Sequence, residues 1–250
     1  MPLPPAISRR RCLALGAGLG AAWFAGGAAA AAPPVEVVVE LFSSQGCKSC
    51  PPGDRLLSEL RDMPGVLALT LHVDYWDYLG WKDTLASPDF SQRQYDYAKA
   101  RGDMDVFTPQ MVINGETPIV GSQRSEVLAV VEQSRRRSWP AAVKVSDGGS
   151  EMVIDIAASD GAHDATLWVM PVLGRTTVKI EKGEMAGREI AYTNVVRRLV
   201  PAGMWKGGAT RIALPKDGLL TADATACVAL LQKGKVGPIL GCACWGSVTS

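Results

Sequence analysis

Val35-Glu36-Val37-Val38-Val39-Glu40-Leu41-Phe42-Ser43-Ser44-Gln45-Gly46-Cys47-Lys48-Ser49-Cys50-Pro51-Pro52 is the stretch from which the rest of this chain is read. It starts as an apolar, β-branched run, the pattern of a strand buried on both faces. Ser43, Ser44 and Gly46 interrupt that run, Cys47 and Cys50 stand at the break, and Pro51-Pro52 leads into a helical pattern with Leu56, Leu57 and Leu60. A strand thus delivers two cysteines to the start of a helix expected over Asp54 to Met63. The free N–H groups and dipole of a helix start stabilise a thiolate, the reactive form of cysteine. On this reading Cys47 is the exposed attacking sulfur and Cys50, in the first turn, the resolving one. The prolines fit where a missing N–H breaks few helix bonds, and Lys48 adds a positive charge.

Two blander readings compete. A zinc site takes about four ligands, whereas the chain after residue 32 has no second Cys-x-x-Cys and only His72 and His163. A structural bridge across two residues closes too small a loop to stabilise much. Redox chemistry without metal or organic cofactor is therefore the leading expectation.

Residues 1–32 carry Arg9, Arg10 and Arg11 with no acid, then an uncharged run to Ala30-Ala31-Ala32 before Pro33-Pro34. This is the pattern of an export signal with a small-residue cleavage site. Ser8-Arg9-Arg10 and the weakly apolar core suggest the twin-arginine route; Cys12 keeps the general secretory route open. The expected location is periplasmic or secreted, with no membrane attachment after cleavage. The 26 Lys+Arg less those three arginines leaves 23 against 25 Asp+Glu, a net charge of −2, so there is no basic face for nucleic acid. Five cysteines remain in a compartment where disulfides persist.

Val66 to Val73 reads as a second buried strand, joined to the first by a right-handed crossover. It ends in Asp74-Tyr75-Trp76-Asp77, at the carboxyl edge where open α/β sheets bind ligands, so Asp74, Tyr75 and Trp76 are candidate substrate-binding residues. His72 reads better as a satisfied buried residue than as a site residue. Ser87-Pro88 starts a helix that Gly102 stops. Thr108-Pro109 enters a third strand, Asn114-Gly115 marks a hairpin to Thr117–Val120, and Ser122 opens a last helix.

The order β-α-β-α-β-β-α, with Cys-x-x-Cys after the first strand and Thr-Pro before the third, resembles the thioredoxin fold. The chain is similar, more closely, to a family of secreted bacterial proteins known only as a domain of unknown function. Its recurring segments appear here as Leu41 to Pro52, His72 to Asp77, Thr108-Pro109-Gln110 and Gly183 to Arg188. The resemblance implies that Pro109 is cis and lies against the cysteines, and that Thr108 offers backbone hydrogen bonds to a bound peptide.

From Trp139-Pro140 short alternating runs replace helical periodicity, the signature of a small antiparallel sandwich. The sequence therefore predicts a signal at 1–32, an α/β thioredoxin-like domain at 33–138 and an all-β antiparallel sandwich-like domain at 139–250. Gly183 to Arg188 and Asn194 to Arg197 read as a hairpin docking on the first domain rather than as a site. Cys242 and Cys244 face one side of the last strand. Pairing Gln232 with Ile239 sets Cys227 opposite Cys244, and a two-residue shift sets it opposite Cys242, so a structural disulfide from Cys227 to Cys244 (or Cys242) is expected.

The functional expectation is an exported thiol–disulfide oxidoreductase acting on protein thiols or disulfides, together with a redox partner the sequence does not identify. A copper-binding or copper-delivery protein using the same thiolates and a non-catalytic binding module are the alternatives.

Overall fold

The computed structural model describes residues 34–161 and 164–248, so the expected export signal and His163 lie outside the described residues. In the first part, β1 (Val37–Ser43), α1 (Pro51–Arg61), β2 (Val66–His72), α2 (Pro88–Arg101), β3 (Gln110–Ile113), β4 (Thr117–Val120) and α3 (Arg124–Ser134) follow in that order. β1 and β2 pair in parallel, β3 runs antiparallel to β1, and β4 antiparallel to β3.

Every residue of β1 and β2 is buried, and alternation sorts them to two faces. Val37, Val39 and Leu41 pack with Leu56, Leu57 and Leu60 of α1 and with Val127 and Val131 of α3. Val38 and Phe42 pack on the other face with Phe90 and Tyr97 of α2. Burial of a leucine such as Leu57 contributes about 2 kcal/mol, and truncation to alanine there costs about 2–5 kcal/mol.

Helix limits follow local chemistry. The Ser87 side chain accepts from the Asp89 N–H and Pro88 takes the first helical position of α2, while Gly102 closes it at φ 82°. α3 starts without a side-chain cap, at Gln123 rather than at Ser122.

The second part contributes β5 (Val143–Asp147), β6 (Glu151–Ile156), β7 (Ala165–Lys179), β8 (Glu189–Val196), β9 (Val200–Trp205), β10 (Thr210–Pro215), β11 (Ala226–Lys233) and β12 (Ile239–Gly246). Here the expected architecture is corrected. Strands of both parts form one mixed nine-stranded sheet, in the order β12-β11-β7-β8-β2-β1-β3-β4 with β9 also on β7. There is no α/β thioredoxin-like domain followed by a separate all-β sandwich. The join is a parallel pairing of β8 with β2 at Thr70 and Val195. Asn194 reinforces it, its Nδ2 donating to Ala68 O (2.8 Å) and Val248 O (2.7 Å).

The core crosses the join as well. Phe42, Phe90 and Tyr97 share one cluster with Trp168, Met170, Val228 and Leu230. At its centre Glu40, fully buried in β1, takes two bonds from Arg93 of α2 (2.7 and 3.0 Å) and one from the Tyr97 hydroxyl (2.5 Å). Gln232 of β11 closes the network, accepting from Arg93 (2.9 Å) and donating to the Tyr97 oxygen (2.7 Å). Removing one partner of such a buried pair costs about 3–5 kcal/mol.

β7 makes a single sheet possible. Its first half lies between β11 and β9, and its second half pairs with β8, so one 15-residue strand links the two groups of strands. On the far face of β7 and β11, Leu167, Val169, Ala229 and Leu231 pack against Met152, Ile154 and Ile156 of the small β10-β6-β5 sheet.

The last hairpin brings a second correction. Gln232 does pair with Ile239, but a bulge follows and Leu231 pairs with Gly241. The extra residue shifts register by one and turns every later side chain to the other face. Cys227 therefore lies opposite Trp245, in the cluster facing the small sheet, while Cys242 and Cys244 face the main core. All three cysteines are free, and the expected bridge from Cys227 to Cys244 or Cys242 is absent.

Candidate functional site

β1 ends at Ser43, a turn carries Gln45 and Gly46, and Cys50 becomes the N-cap of α1, with proline at its first positions. Cys47 and Cys50 are joined in a disulfide, Cα atoms 5.4 Å apart. The helix has no side-chain cap at this end; Pro51 and Pro52 carry no N–H, and the Cys50 and Asp54 N–H groups donate to Cys47 O (3.3 Å) and Cys50 O (3.1 Å), so what faces the cysteine turn is the positive end of the helix dipole.

The Thr108–Pro109 peptide is cis. Pro109 packs on α1 at Gly53, where a Cβ would stand 2.9 Å from Pro109 Cβ, so only glycine admits this approach. Thr108 O lies 3.7 Å from Cys47 Sγ and accepts from Ser49 Oγ at 3.2 Å. Trp76 Nε1 donates to Thr108 Oγ1 at 2.8 Å. Cys47, Cys50, Thr108, Pro109 and Trp76 thus lie together at this end of α1.

Asp74 and Tyr75 have other partners. Asp74 Oδ1 accepts from Ser91 Oγ of α2 (2.5 Å), and the Tyr75 hydroxyl donates to Gln94 Oε1 (3.0 Å). Gln94 Nε2 donates in turn to Phe107 O (2.8 Å). These two side chains tie the loop after β2 to α2 and to the segment leading into Thr108. Burial pushes the Tyr75 hydroxyl up to about 12, which keeps it a neutral donor.

Cys47 is less open than expected, at 2% exposure against 0% for Cys50. Lys48 and Ser49 cover the turn and are exposed themselves. Lys48 Nζ reaches Glu184 Oε2 at 3.1 Å, in the loop between β7 and β8. That loop leans on the segment after β2, since a Cβ at Gly183 would meet Leu79 O at 3.0 Å.

Beneath the turn lies a polar cluster that the sequence did not single out. Ser43 Oγ donates to Asp54 Oδ1 (2.7 Å) in the first turn of α1. His72 Nδ1 and Asp83 Oδ2 are 2.8 Å apart, with both side chains fully buried. Asp83 also accepts from the Gln45 and Leu85 N–H groups. The Tyr192 ring of β8 meets the His72 ring edge-on at 4.5 Å. Asp54 Oδ2, His72 Nε2 and the Tyr192 hydroxyl have no partner among the described residues. An unpaired buried polar atom costs about 1–3 kcal/mol, so this cluster is retained against stability.

The two acids of the cluster behave differently. Burial, only partly offset by the Ser43 hydrogen bond, pushes Asp54 up to about 6. Burial also acts on Asp83, yet the His72 ring and the Gln45 and Leu85 N–H groups together hold it below the usual carboxylate range. Asp54 is joined to the cysteine turn by its own N–H, which donates to Cys50 O at 3.1 Å. A cavity of about 450 Å³ bordered by Pro51, Asp54, Arg55 and Arg188 lies beside it. Asp54 escaped sequence reasoning because an acid in a first helical turn reads as a dipole partner.

Among the described residues, no group of three or more His, Cys, Asp and Glu is placed to hold a metal ion, and no helix is long and apolar enough to cross a membrane.

The chain belongs to a family described as a protein of unknown function (DUF1223), whose model matches residues 38–232. It is similar to protein AGR_C_4864 from Agrobacterium tumefaciens, known as a crystal structure, with 33% identity and a TM-score of 0.75 over 87% of this chain and 96% of that one. HBP35 of Porphyromonas gingivalis shares the fold at 14% identity and a TM-score of 0.60, over 86% of this chain and 76% of the other. No curated protein matches the chain.

Proposed function

We propose that this protein is an exported thiol–disulfide oxidoreductase that exchanges its Cys47–Cys50 pair with thiols or disulfides of other proteins. The observation that carries this reading is the pair itself: two cysteines at an uncapped helix start, with Cys47 Sγ 3.7 Å from the Thr108 carbonyl. The helix N-terminus favours the thiolate that each exchange step requires. Residues 1–32 are the export signal that delivers the chain to an oxidising compartment, periplasmic or extracellular.

The exchange balances without a further reagent. A partner thiolate attacks Cys47 Sγ, and the S–S electron pair leaves on Cys50 Sγ as a thiolate. We assign to Asp54, which shares the first turn of α1 and keeps its proton up to about pH 6, the protonation of that sulfur and the later return of the proton. A second partner thiolate then attacks the partner sulfur of the mixed disulfide and releases Cys47 as a thiolate. The partner leaves oxidised and the protein is left as the dithiol. Run backwards, the same steps reduce a partner disulfide.

The experiment is equilibration of the purified protein with mixtures of reduced and oxidised glutathione, followed by acid quench and mass analysis. Expected are reversible conversion of one disulfide, a glutathione adduct trapped on Cys47 in Cys50→Ser, and none on Cys50 in Cys47→Ser. No exchange over hours, with the reduced pair instead binding Cu(I) tightly, would overturn the proposal in favour of a copper protein.

A further inference from the structure

A second place in the molecule carries chemistry that the cysteine site does not use. A cavity of about 290 Å³ lies between α2 and the strands of the second part, bordered by Asp89, Arg93, Trp168, Leu199, Pro201 and Val236. Its size is at the lower end for small-molecule sites. Three of these side chains are apolar aliphatics, and the Trp168 indole is fixed by an Nε1–H bond to Lys235 O at 3.1 Å.

Arg93 is 3% exposed, and its Nε and Nη2 are committed to Glu40, Tyr97 and Gln232 in the core. Its guanidinium carbon stands 5.6 Å from the centre of the Trp168 ring. Nη1 has no partner among the described residues. A buried guanidinium corner is a strong donor, and leaving it unmatched costs more than leaving a neutral group unmatched. Because Glu40 already neutralises Arg93, the deep end of the cavity suits a neutral acceptor such as a carbonyl better than a second carboxylate.

The rim has the opposite character. Asp96 pairs with Lys235 at 2.5 Å, whereas the exposed Asp89, in the first turn of α2, makes no ion pair among the described residues and is balanced only by the helix start. The mouth is therefore left with a negative charge that no cation among the described residues pairs.

We infer that this cavity binds a small molecule with a carbonyl acceptor at one end, an ammonium at the other and an apolar or aromatic body between them. A hydrophobic amino-acid amide, or the N-terminal residue of a peptide, has this chemistry. The carbonyl meets Arg93 Nη1, the body lies on Trp168 among Leu199, Pro201 and Val236, and the ammonium faces Asp89. Nothing in this assignment depends on the redox reading.

The test uses three probes on the full mature protein: L-phenylalaninamide, N-acetyl-L-phenylalaninamide, which lacks the ammonium, and phenethylamine, which lacks the carbonyl. The readout is the indole N–H resonance of Trp168, assigned by its loss in Trp168→Phe. L-Phenylalaninamide is expected to shift it saturably, with an affinity about tenfold above that of either truncated probe, as one matched polar group provides. Asp89→Asn, an exposed substitution, should remove most of the advantage over the acetylated probe. Leu199→Trp, which fills the cavity from the mouth, should abolish binding while the protein stays folded by circular dichroism. Equal affinities for all three probes, binding unaffected by Leu199→Trp, or no shift with any probe would each overturn the assignment.

Discussion

The chain holds its cysteines in two settings, and the contrast shows how placement decides what a thiol can do. Cys47 and Cys50 stand in a turn at a helix start, on the same side of the chain and close enough to bond. Cys227, Cys242 and Cys244 sit within paired strands, where the pleat and a one-residue bulge put the first on one face and the others on the opposite face. The turn sets the Ser49 hydroxyl (3.4 Å) and the Thr108 carbonyl (3.7 Å) beside Cys47 Sγ. Cys227 is buried among hydrocarbon and Cys242 and Cys244 are half-buried against the main core, and this burial pushes Cys227 and Cys244 up to about 12 and Cys242 well above its ordinary value.

The largest expected effect tests that contrast directly. A thiol near 12 carries on the order of 10³-fold less thiolate at pH 8 than an ordinary cysteine. In the mildly reduced native protein, iodoacetamide should label Cys47 at least about 100-fold faster than the buried Cys227, whose labelling should await unfolding. Quenched labelling with peptide mapping gives the ratio. Comparable rates would show that the hairpin opens readily, and would remove the distinction between the settings.

How much of this contrast could be read in the sequence depends on how local each cause is. The run from Val35 to Pro52 announced its strand, turn and helix because each is set by neighbouring residues, and Ser87, Gly102 and Asn114-Gly115 marked their boundaries for the same reason. The meeting of Thr108 and Pro109 with the cysteines was legible only through the family resemblance. The bulge at Leu240 was not legible, because a register shift is settled between two strands and leaves no mark in one. The merging of both parts into one sheet rests on Thr70 meeting Val195 and on the buried Asn194 amide, contacts between residues more than a hundred positions apart. Asp54, His72, Asp83 and Tyr192 come from four separate elements, with no spacing to betray them. Polar satisfaction in a core is a property of the assembled fold.

An effect of intermediate size concerns that cluster, which the hairpin cysteines lack. Asp54 goes from an ordinary 3.8 to about 6 on folding, so between these values the folded state holds a proton that the unfolded chain has released. Stability attributable to Asp54 therefore falls as pH rises from about 4 to about 6, and above that the full ionisation cost, ~2–3 kcal/mol, is present. Asp54→Asn keeps an acceptor for Ser43 and cannot ionise. It is expected to stabilise the protein by ~1–3 kcal/mol at pH 7.5, with the gain shrinking to near zero at pH 4, as measured by urea unfolding. The same variant should exchange more slowly with glutathione at neutral pH, since Cys50 loses its proton partner. A variant destabilised equally at both pH values would show that Asp54 is a structural ligand of Ser43 and no proton store.

The smallest effect belongs to the one charge at the cysteine turn that faces solvent. Lys48 Nζ is 3.1 Å from Glu184 Oε2, but the two side chains are 63% and 43% exposed. Pairs this open contribute between zero and about 1 kcal/mol, and salt screens them. Lys48→Ala should change stability by less than ~0.5 kcal/mol. Its positive charge still attracts an anionic thiol, so exchange with glutathione should slow about two- to threefold at low ionic strength and converge with the parent near 0.5 M salt. A loss of tenfold or more that persists in high salt would mean something else: that the bridge fixes the loop between β7 and β8 over the site. That loop leans on Leu79 and Trp81 through Gly183, in the segment just after Trp76. A salt-insensitive loss should then be reproduced by Glu184→Ala, which removes the partner without altering the charge beside Cys47. A loss confined to Lys48→Ala and removed by salt would leave the charge attraction as the explanation, and the loop as a neighbour of the site rather than part of it.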